Sequence, residues 1–484
     1  MLGARATLVA GPVVLAFFSG GFFDGPRAVA LLVAGVVLAI LVAAAPPDEL
    51  IPPHPAARVA LIAAVAYAGW IALSATWAPV RDFAIDDAER ALLYATVLAA
   101  AAIAFRERAA ARALEPVLAA GTVVVIGYGL AGRLLPGIVT EHPQRSAVGR
   151  LDQPLTYWNA TGAVAAIGLI LCARLAGDRE RPGALRAGAA AAAVPLGMGC
   201  YLSFSRGALA ALAAGLLTLV VLAPTFAQLR AAVLVVVAGA AGAGAAAASG
   251  AVRALEGGAA TREREGAIVL AVAVVLMALA ATAQQFAGRP LPQRGPLDDG
   301  ADRPLPLPRW AGWATLAAIA ALLVVPIVAS SGHQQAPPAT GATNQRFASL
   351  GSNRYAYWRV ALDTGFDHPL AGVGASGFRN QWLVRRKVDE NVRDAHSLEL
   401  ETFAELGLVG VALLAALLAA IGVSARAALR ADPTLAAGPA AVLTAWVFHS
   451  AIDWDWEMPA LTLLAVVLAG ALLTAPRRSA APRG

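Results

Sequence analysis

Three arginines beside small or aromatic residues are the first side chains in this sequence that could do chemistry. Arg206 lies in YLSFSRGALA, Arg354 in SNRYAYWRVAL and Arg379 in GVGASGFRN. A guanidinium group stays protonated and presents a planar fork of donors, so it can bind two phosphate oxygens at once. The three arginines are therefore candidate ligands of a phosphate-bearing substrate. The alternatives are an interfacial anchor for Arg206 and surface ion pairs for Arg354 and Arg379.

His396 is a candidate general base. It lies in DAHSLELETFAELGLVG, where Glu399, Glu401 and Glu405 follow at helical spacing. An unperturbed imidazole has a pKa of about 6.5, so at neutral pH it can take a proton from a hydroxyl group. The alternative is a loop histidine without a chemical role. No HExxH, GxSxG, P-loop or dinucleotide pattern is present, so the sequence predicts neither a metal site nor a cofactor.

The elements that carry these residues are predicted to be transmembrane helices. Hydrophobic residues make up 59% of the 484 residues and charged residues only 14%, against about 25% charged in soluble domains. This composition excludes an ordinary soluble enzyme, a disordered chain and a small disulfide scaffold, and it predicts an all-α integral membrane protein. A span needs about 20 apolar residues. Fourteen apolar segments qualify, near 6–23, 27–45, 57–76, 88–105, 112–134, 156–174, 187–203, 207–225, 230–248, 266–286, 311–330, 402–423, 436–451 and 458–474.

The distribution of basic residues predicts the topology. With the N-terminus in the cytoplasm, 19 of the 37 lysines and arginines fall on cytoplasmic segments, as the positive-inside rule expects. The first apolar run has no cleavage site after it, so we interpret it as a retained span. The ninth segment, rich in Gly and Ala, is the weakest. The net charge of +6 is then explained mostly by the basic residues that set the membrane topology, and it requires no nucleic-acid partner.

Three regions follow from this topology: helices 1 to 11 in residues 1–330, a large extracytoplasmic loop in 331–401, and three C-terminal helices with a short cytoplasmic tail in 402–484. The loop begins with a stretch rich in Pro and Gly. YAYWRVALDTG and GFRNQWLVRRK then predict amphipathic helices near the membrane surface. Its eight basic residues indicate contact with anionic lipid or with a phosphate-bearing lipid substrate.

Four pieces of the sequence resemble the O-antigen ligase and polymerase superfamily of polytopic membrane glycosyltransferases. They are RLDQPLTYWNATG, SFSRGAL, NRYAYWRVALDTGFDHPLAGVGASGF and AHSLELETFAELGLVG, with HSAIDWDWEMP as a weaker fifth piece. Each piece alone is weak evidence for the family, but the order and spacing of the pieces are specific to it. The first hundred residues match only in being hydrophobic.

The resemblance implies a GT-C-like bundle of about 12 to 14 helices in the cytoplasmic membrane. It implies a glycosyltransferase that moves a glycan from a polyprenyl-diphosphate lipid, typically undecaprenyl, to an acceptor hydroxyl outside, with inversion and without a metal. Arg206 and Arg354 would then hold the diphosphate, with Arg379 as a third ligand. His396 would activate or position the acceptor, and Asn159 and Glu405 would support the site. Many members have Asn after the histidine, where this chain has Ser397.

Two other functions remain open from the sequence. A transporter or flippase for lipid-linked glycans would share the span count and the basic patches. A metal-dependent transferase would need an acidic pair, for which Asp86 and Asp87 are the candidates. The sequence does not separate ligase from polymerase or identify the acceptor, which could be a glycan or a lipid-linked glycan.

Overall fold

The computed structural model describes residues 1–140, 142, 144–287, 303–330, 341–348 and 352–474. The start of the predicted outer loop and the C-terminal tail lie outside these residues. Within the described part, every apolar segment predicted to span a membrane coincides with a helix of 15 residues or more. These helices are α1 Leu2–Ala16, α2 Asp24–Ala44, α4 Pro55–Ser74, α5 Arg81–Ala104, α6 Arg108–Leu134, α7 Trp158–Gly177, α8 Gly183–Leu202, α9 Arg206–Leu222, α10 Phe226–Ala247, α12 Ala259–Ala287, α13 Ala311–Ser330, α17 Leu398–Ala431, α18 Pro433–Ser450 and α19 Pro459–Leu473. Shorter helices connect them: α3 Pro47–Leu50, α11 Gly250–Ala254, α14 Gln345–Ala348, α15 Arg354–Asp367 and α16 Phe378–Arg385.

The helix lengths and compositions confirm an all-α membrane protein. In the described part, eight helices are long and apolar enough to cross a membrane, and α1, α9, α13 and α19 add shorter apolar stretches. The weak ninth segment forms α10, a helix of 22 residues. α5 differs from the others because charged residues crowd its first ten positions. This polar end of α5 becomes part of the site described below.

α7 lies at the centre of one half of the bundle. All of its residues from Asn159 to Gly177 are buried, and it contacts α6, α8, α9, α10 and α18. Small residues permit these close contacts: a Cβ on Gly168 would lie 2.4 Å from Thr122 Oγ1 of α6. α7 is therefore surrounded by other helices along its length, including the N-terminal end that carries Asn159.

α17 is broken near its N-terminal end, and the His-Pro-Leu-Ala-Gly segment fills the break. Gly407 has φ 62° and ψ −163°, and the Leu408 N–H donates to the Pro369 carbonyl at 2.7 Å instead of to its own helix. Gly372 has a positive φ, and a Cβ there would lie 2.2 Å from the carbonyl carbon of Glu405. The segment thus provides hydrogen-bond partners for backbone N–H and C=O groups that lose their helical partners at the break.

The predicted amphipathic segments of the outer loop form α15 and α16. Their apolar faces meet in a small core, in which the rings of Tyr357 and Trp382 lie 5.0 Å apart in an edge arrangement. Phe378 and Ala361 are fully buried in the same core, and α15 packs on α17. The amphipathic helices are confirmed, but their buried faces pack on the protein and not on a membrane surface.

Candidate active site

Asp453 lies in the connection between α18 and α19 and joins three parts of the chain. Its carboxylate pairs with the guanidinium of Arg354, the first residue of α15. It also accepts hydrogen bonds from the Tyr157 hydroxyl at 2.7 Å and from Asn159 Nδ2 at 2.8 Å, at the start of α7. The structure thus brings together Arg354 and Asn159, which the sequence analysis placed at the site, through a carboxylate that it did not single out.

Asp453 is ionised at neutral pH although it is 1% exposed. Burial by itself would raise the pKa of Asp453, but the charges of Arg354, His449 and His396 hold it below its usual value. The Arg354 guanidinium therefore has a fixed anionic partner that sets its orientation.

Four arginines from separate segments interact electrostatically, with Arg346 as the common neighbour of the other three, and we call them the arginine cluster: Arg150, Arg206, Arg346 and Arg354. Arg206 feels the charges of Arg346 and Arg354. Burial and the charge of Arg346 lower the pKa of Arg150 to about 9, and burial and the charge of Arg354 lower the pKa of Arg346. Such mutual repulsion is relieved when a polyanion binds, so the cluster has the electrostatics of a phosphate site.

Backbone contacts hold this cluster in place. Arg206 opens α9, and the preceding Ser205 caps the helix by accepting from the Ala208 N–H at 3.2 Å. Arg346 Nε donates to the carbonyl of Phe204 at 3.1 Å, two residues before Arg206. The Ser-Arg-Gly turn and the outer loop are therefore joined at the position where the cluster forms.

Arg379 lies apart from the arginine cluster. Its guanidinium stacks over the ring of Phe83 on α5, 4.2 Å from the ring centroid, and its charge is not among those that act on Arg206. The three arginines expected to share one site are thus divided, with Arg206 and Arg354 together and Arg379 against α5.

His396 lies on the connection between α16 and α17 with a positive φ of 57°. Its Nδ1 is 3.0 Å from the Asp394 carbonyl, and its own carbonyl accepts from Trp358 Nε1 at 3.3 Å. Because a carbonyl can only accept, this contact places the imidazole proton on Nδ1 and leaves Nε2 as an acceptor. Burial lowers the pKa of His396, against the opposing charge of Asp453, so the ring is neutral at neutral pH.

Helix α17 positions the histidine through its first two turns. Glu401 accepts from the Ala395 N–H at 2.6 Å, which fixes the peptide next to His396. Ser397 is the N-cap of α17, and its Oγ accepts from the Leu400 N–H at 3.5 Å. Serine is a favoured N-cap, so the residue that differs from the family pattern has a structural role here.

Glu405 supports a different segment of the same loop. Its two carboxylate oxygens accept from the Ser376 and Phe378 N–H groups, both at 2.9 Å, and the Ser376 hydroxyl donates to Asp87 at 2.7 Å. Glu405 therefore anchors the turn before α16 to α17 and lies among backbone donors rather than beside the arginine cluster.

Three carboxylates form the one group in the described residues with the composition of a metal site: Asp394, Glu401 and Glu457 offer oxygens within 4.8 Å of one another. Hard cations such as Mg²⁺ and Ca²⁺ favour such ligands. Arg90 already lies 3.3 Å from Glu457. Burial raises the pKa of Asp394 to about 7 against the charge of Arg90, and burial likewise raises that of Glu457.

The acidic pair considered for a metal-dependent transferase is bound to arginines instead. Asp86 lies 3.2 Å from Arg27, and Asp87 lies 2.5 Å from Arg90. Each carboxylate thus has its own cationic partner, which does not favour Asp86 and Asp87 as a shared metal ligand pair.

A second histidine lies close to the arginine cluster. His449 Nδ1 is 3.1 Å from Asp455, and both side chains are buried. Its Nε2 faces the start of α9, since a Cβ on Gly207 would lie 3.2 Å from it. The His449–Asp455 pair therefore packs against the turn that carries Arg206.

Sequence reasoning missed Asp453, Arg150 and Arg346 as site residues. Arg150 and Asp453 do lie in pieces that carry the family resemblance, RLDQPLTYWNATG and HSAIDWDWEMP. A charged residue inside such a piece was the available signal, although neither piece indicates its partner. Arg346 lies outside those pieces, and its position depends on a contact with Phe204 that no local pattern reveals.

The fold and site define a polytopic α-helical membrane protein with a cluster of arginines and a neutral histidine nearby. Residues 251–415 match a family model described as O-antigen ligase, which confirms the resemblance drawn from the sequence. The matched region includes Arg354, Arg379, His396 and Glu405, while Arg206 and Asn159 precede it. No curated protein matches the chain. The match supports a function broadly of the O-antigen ligase or polymerase type.

Proposed function

We propose that this chain transfers a glycan from a polyprenyl-diphosphate lipid to an acceptor hydroxyl, with inversion at the anomeric carbon and without a metal ion. The observation that carries the proposal is the arginine cluster next to a neutral histidine whose Nε2 is an acceptor. Each arginine contact to a phosphate oxygen would contribute about 1.5–3 kcal/mol where water is excluded.

The reaction would proceed as a single displacement. The acceptor oxygen forms a bond to the anomeric carbon while the bond from that carbon to the diphosphate oxygen breaks and its electron pair stays on the diphosphate. The arginine cluster, with Arg354 oriented by Asp453, stabilises this negative charge without losing protons. The acceptor's proton goes to Nε2 of His396.

We further propose the cytoplasmic membrane as the location, with both termini in the cytoplasm and the site on the outer face. Residues 1–330, 331–401 and 402–484 would be the helical, loop and C-terminal regions of this arrangement. The positive-inside distribution supports this orientation, and membrane lipids would surround the bundle. The acceptor would be a glycan or a lipid-linked glycan, in a ligase or a polymerase reaction.

Transfer by the purified protein in lipid nanodiscs tests the proposal. With an undecaprenyl-diphosphate-linked glycan and a glycolipid acceptor, we expect product in the presence of EDTA. Loss of transfer with EDTA and recovery with Mg²⁺ would instead assign the Asp394, Glu401 and Glu457 group a metal. Movement of the lipid across the membrane without any product would favour the transporter alternative.

A further inference from the structure

A cavity of about 600 Å³ lies between α4, α5, α17, α18 and α19, with two residues of α13 at its side. Its walls are overwhelmingly apolar over most of their length, with Leu98, Leu414, Leu417 and Val466 among the lining side chains. A space of this size and character suits a hydrocarbon chain or a small apolar molecule.

One end of this cavity is polar and acidic. Asp87 and Arg90 come from the charged end of α5, and Glu399, Glu401 and Glu405 come from the first two turns of α17. Arg90 is already paired with two carboxylates. It lies 2.5 Å from Asp87 and 3.3 Å from Glu457, which does not line the cavity. Carboxyl groups therefore outnumber the available positive charge at this end.

The polar end adjoins the histidine loop. Glu401 holds the Ala395 N–H at 2.6 Å, and Glu399 accepts from the Ser397 hydroxyl at 3.3 Å, so both neighbours of His396 are bonded to cavity-lining side chains. The indole Nε1 of Trp456, another lining residue, is buried and has no hydrogen-bond partner among the described residues. A donor of this kind fits a ligand oxygen at the polar end.

We propose that this cavity binds the acceptor as a neutral glycolipid, with its hydrocarbon chain along the apolar walls and its hydroxyl groups at the acidic end beside His396. This inference rests on the proposed function and adds the class of its second substrate. Carboxyl groups and an indole donor match sugar hydroxyls, which both donate and accept hydrogen bonds.

The diphosphate lipid does not fit this cavity equally well. Its phosphate groups would meet the carboxyl groups of Asp87, Glu399, Glu401 and Glu405, which offer phosphate no cation. The arginine cluster instead brings four guanidinium groups together, although Arg354 is itself paired with Asp453. Two separate sites, one rich in carboxyl groups and the other in arginines, would place donor and acceptor without competition, and such differences in lining set specificity by excluding the wrong ligand.

Gly422 provides a variant that adds bulk at the wall of the cavity. It lines the cavity, and a Cβ there would meet nothing within 4 Å, so Gly422→Trp adds bulk without a backbone clash. Gly244 in α10 is the matched control, because a Cβ there also meets nothing within 4 Å and the residue does not line the cavity.

The experiment uses the full chain in phosphatidylcholine nanodiscs and two photoreactive probes with the same alkyl chain. One probe carries a neutral disaccharide and the other a phosphate group. We expect the disaccharide probe to label cavity peptides of α17 and the phosphate probe to label them weakly. Gly422→Trp should reduce the disaccharide labelling and raise the acceptor KM, each by about tenfold, with the donor KM unchanged. Gly244→Trp should change neither.

The outcomes separate this inference from the proposed function. Preferential labelling of the cavity by the phosphate probe, or a rise in the donor KM alone in Gly422→Trp, would overturn the acceptor assignment while transfer itself stands. Equal labelling in wild type and Gly422→Trp, or no labelling at all, would also overturn it. Absence of transfer in the wild-type protein would reject the proposed function, and the labelling result remains interpretable because it needs no turnover.

Discussion

At the scale of single residues, the environment of His396 predicts a pH profile. Burial lowers its pKa, so the ring is neutral above that value and loses its capacity as a base as the pH falls through it. We expect the transfer rate to decline on the acid side with a midpoint below about 6.5. His396→Ala should reduce turnover by about 10²–10⁴-fold, with donor binding retained. Steady-state rates between pH 4.5 and 8 check both.

His368 is the control for this prediction. It is exposed and belongs to the segment that fills the α17 break, so His368→Ala should keep the acid decline unchanged. If the residual activity of His396→Ala shows the same acid decline as wild type, the base lies elsewhere and His396 has at most a positioning role.

The arginines and Asp453 predict a second set of effects. Arg206→Lys and Arg354→Lys keep the charge but lose the planar fork, so each should lose most of the activity while the protein stays inserted and folded. Asp453→Asn should raise the donor KM, because it removes the anion that orients Arg354. Arg379→Lys should be milder, since Arg379 stacks on Phe83. Transfer kinetics with size-exclusion profiles measure these effects, and near wild-type rates in both Lys variants would reject the phosphate-site assignment.

Residue types and short motifs were sufficient to nominate Arg206, Arg354, His396 and Asn159 as candidates, because each lies in a recognisable local piece. Asp453 could not be assigned in the same way. Its contacts to Tyr157 and Arg354 cross 296 and 99 residues of sequence, and nothing in either segment specifies the other. The arginine cluster could not be predicted for the same reason, since its members come from four separate segments.

At the scale of elements, the break in α17 predicts a specific sensitivity at Gly372. A residue with a side chain at its positive φ costs about 1–2 kcal/mol, and the Cβ would also overlap the Glu405 backbone. Gly372→Ala should therefore lower the thermal unfolding temperature in detergent and reduce activity together. Gly244→Ala, with open space around its Cβ, should leave both unchanged. A Gly372→Ala protein as stable as wild type would contradict the proposed role of the segment.

The long helices were predictable because an apolar run long enough to span a membrane is a local property of the sequence. The break at Gly407 was not, because the sequence ETFAELGLVGVALL continues the helical pattern through it. The break exists because the Pro369 carbonyl and its neighbours accept and donate the hydrogen bonds that the helix gives up. The cavity likewise depends on how five helices pack, which the apolar pattern of each helix does not determine.

At the scale of the whole molecule, the site elements come from helix ends that must lie on one side of the membrane. Arg206 opens α9, Arg90 lies in the first part of α5, Glu401 lies in the first turn of α17, and Asp453 follows α18. The contacts among these ends and the outer loop are consistent with the alternation of the predicted spans. This alternation predicts that the site lies on the side opposite to the connections that carry most of the arginines.

Cysteine labelling in intact cells tests that orientation. We expect a cysteine at Ser352→Cys, between the described ends of α14 and α15, to react with a membrane-impermeant maleimide without permeabilisation. Ala184→Cys, exposed at the start of α8 and predicted to face the cytoplasm, should react only after permeabilisation. The native Cys172 and Cys200 are buried and should contribute little background. The opposite labelling pattern would reverse the topology, place the arginine cluster in the cytoplasm, and remove the basis for transfer on the outer face.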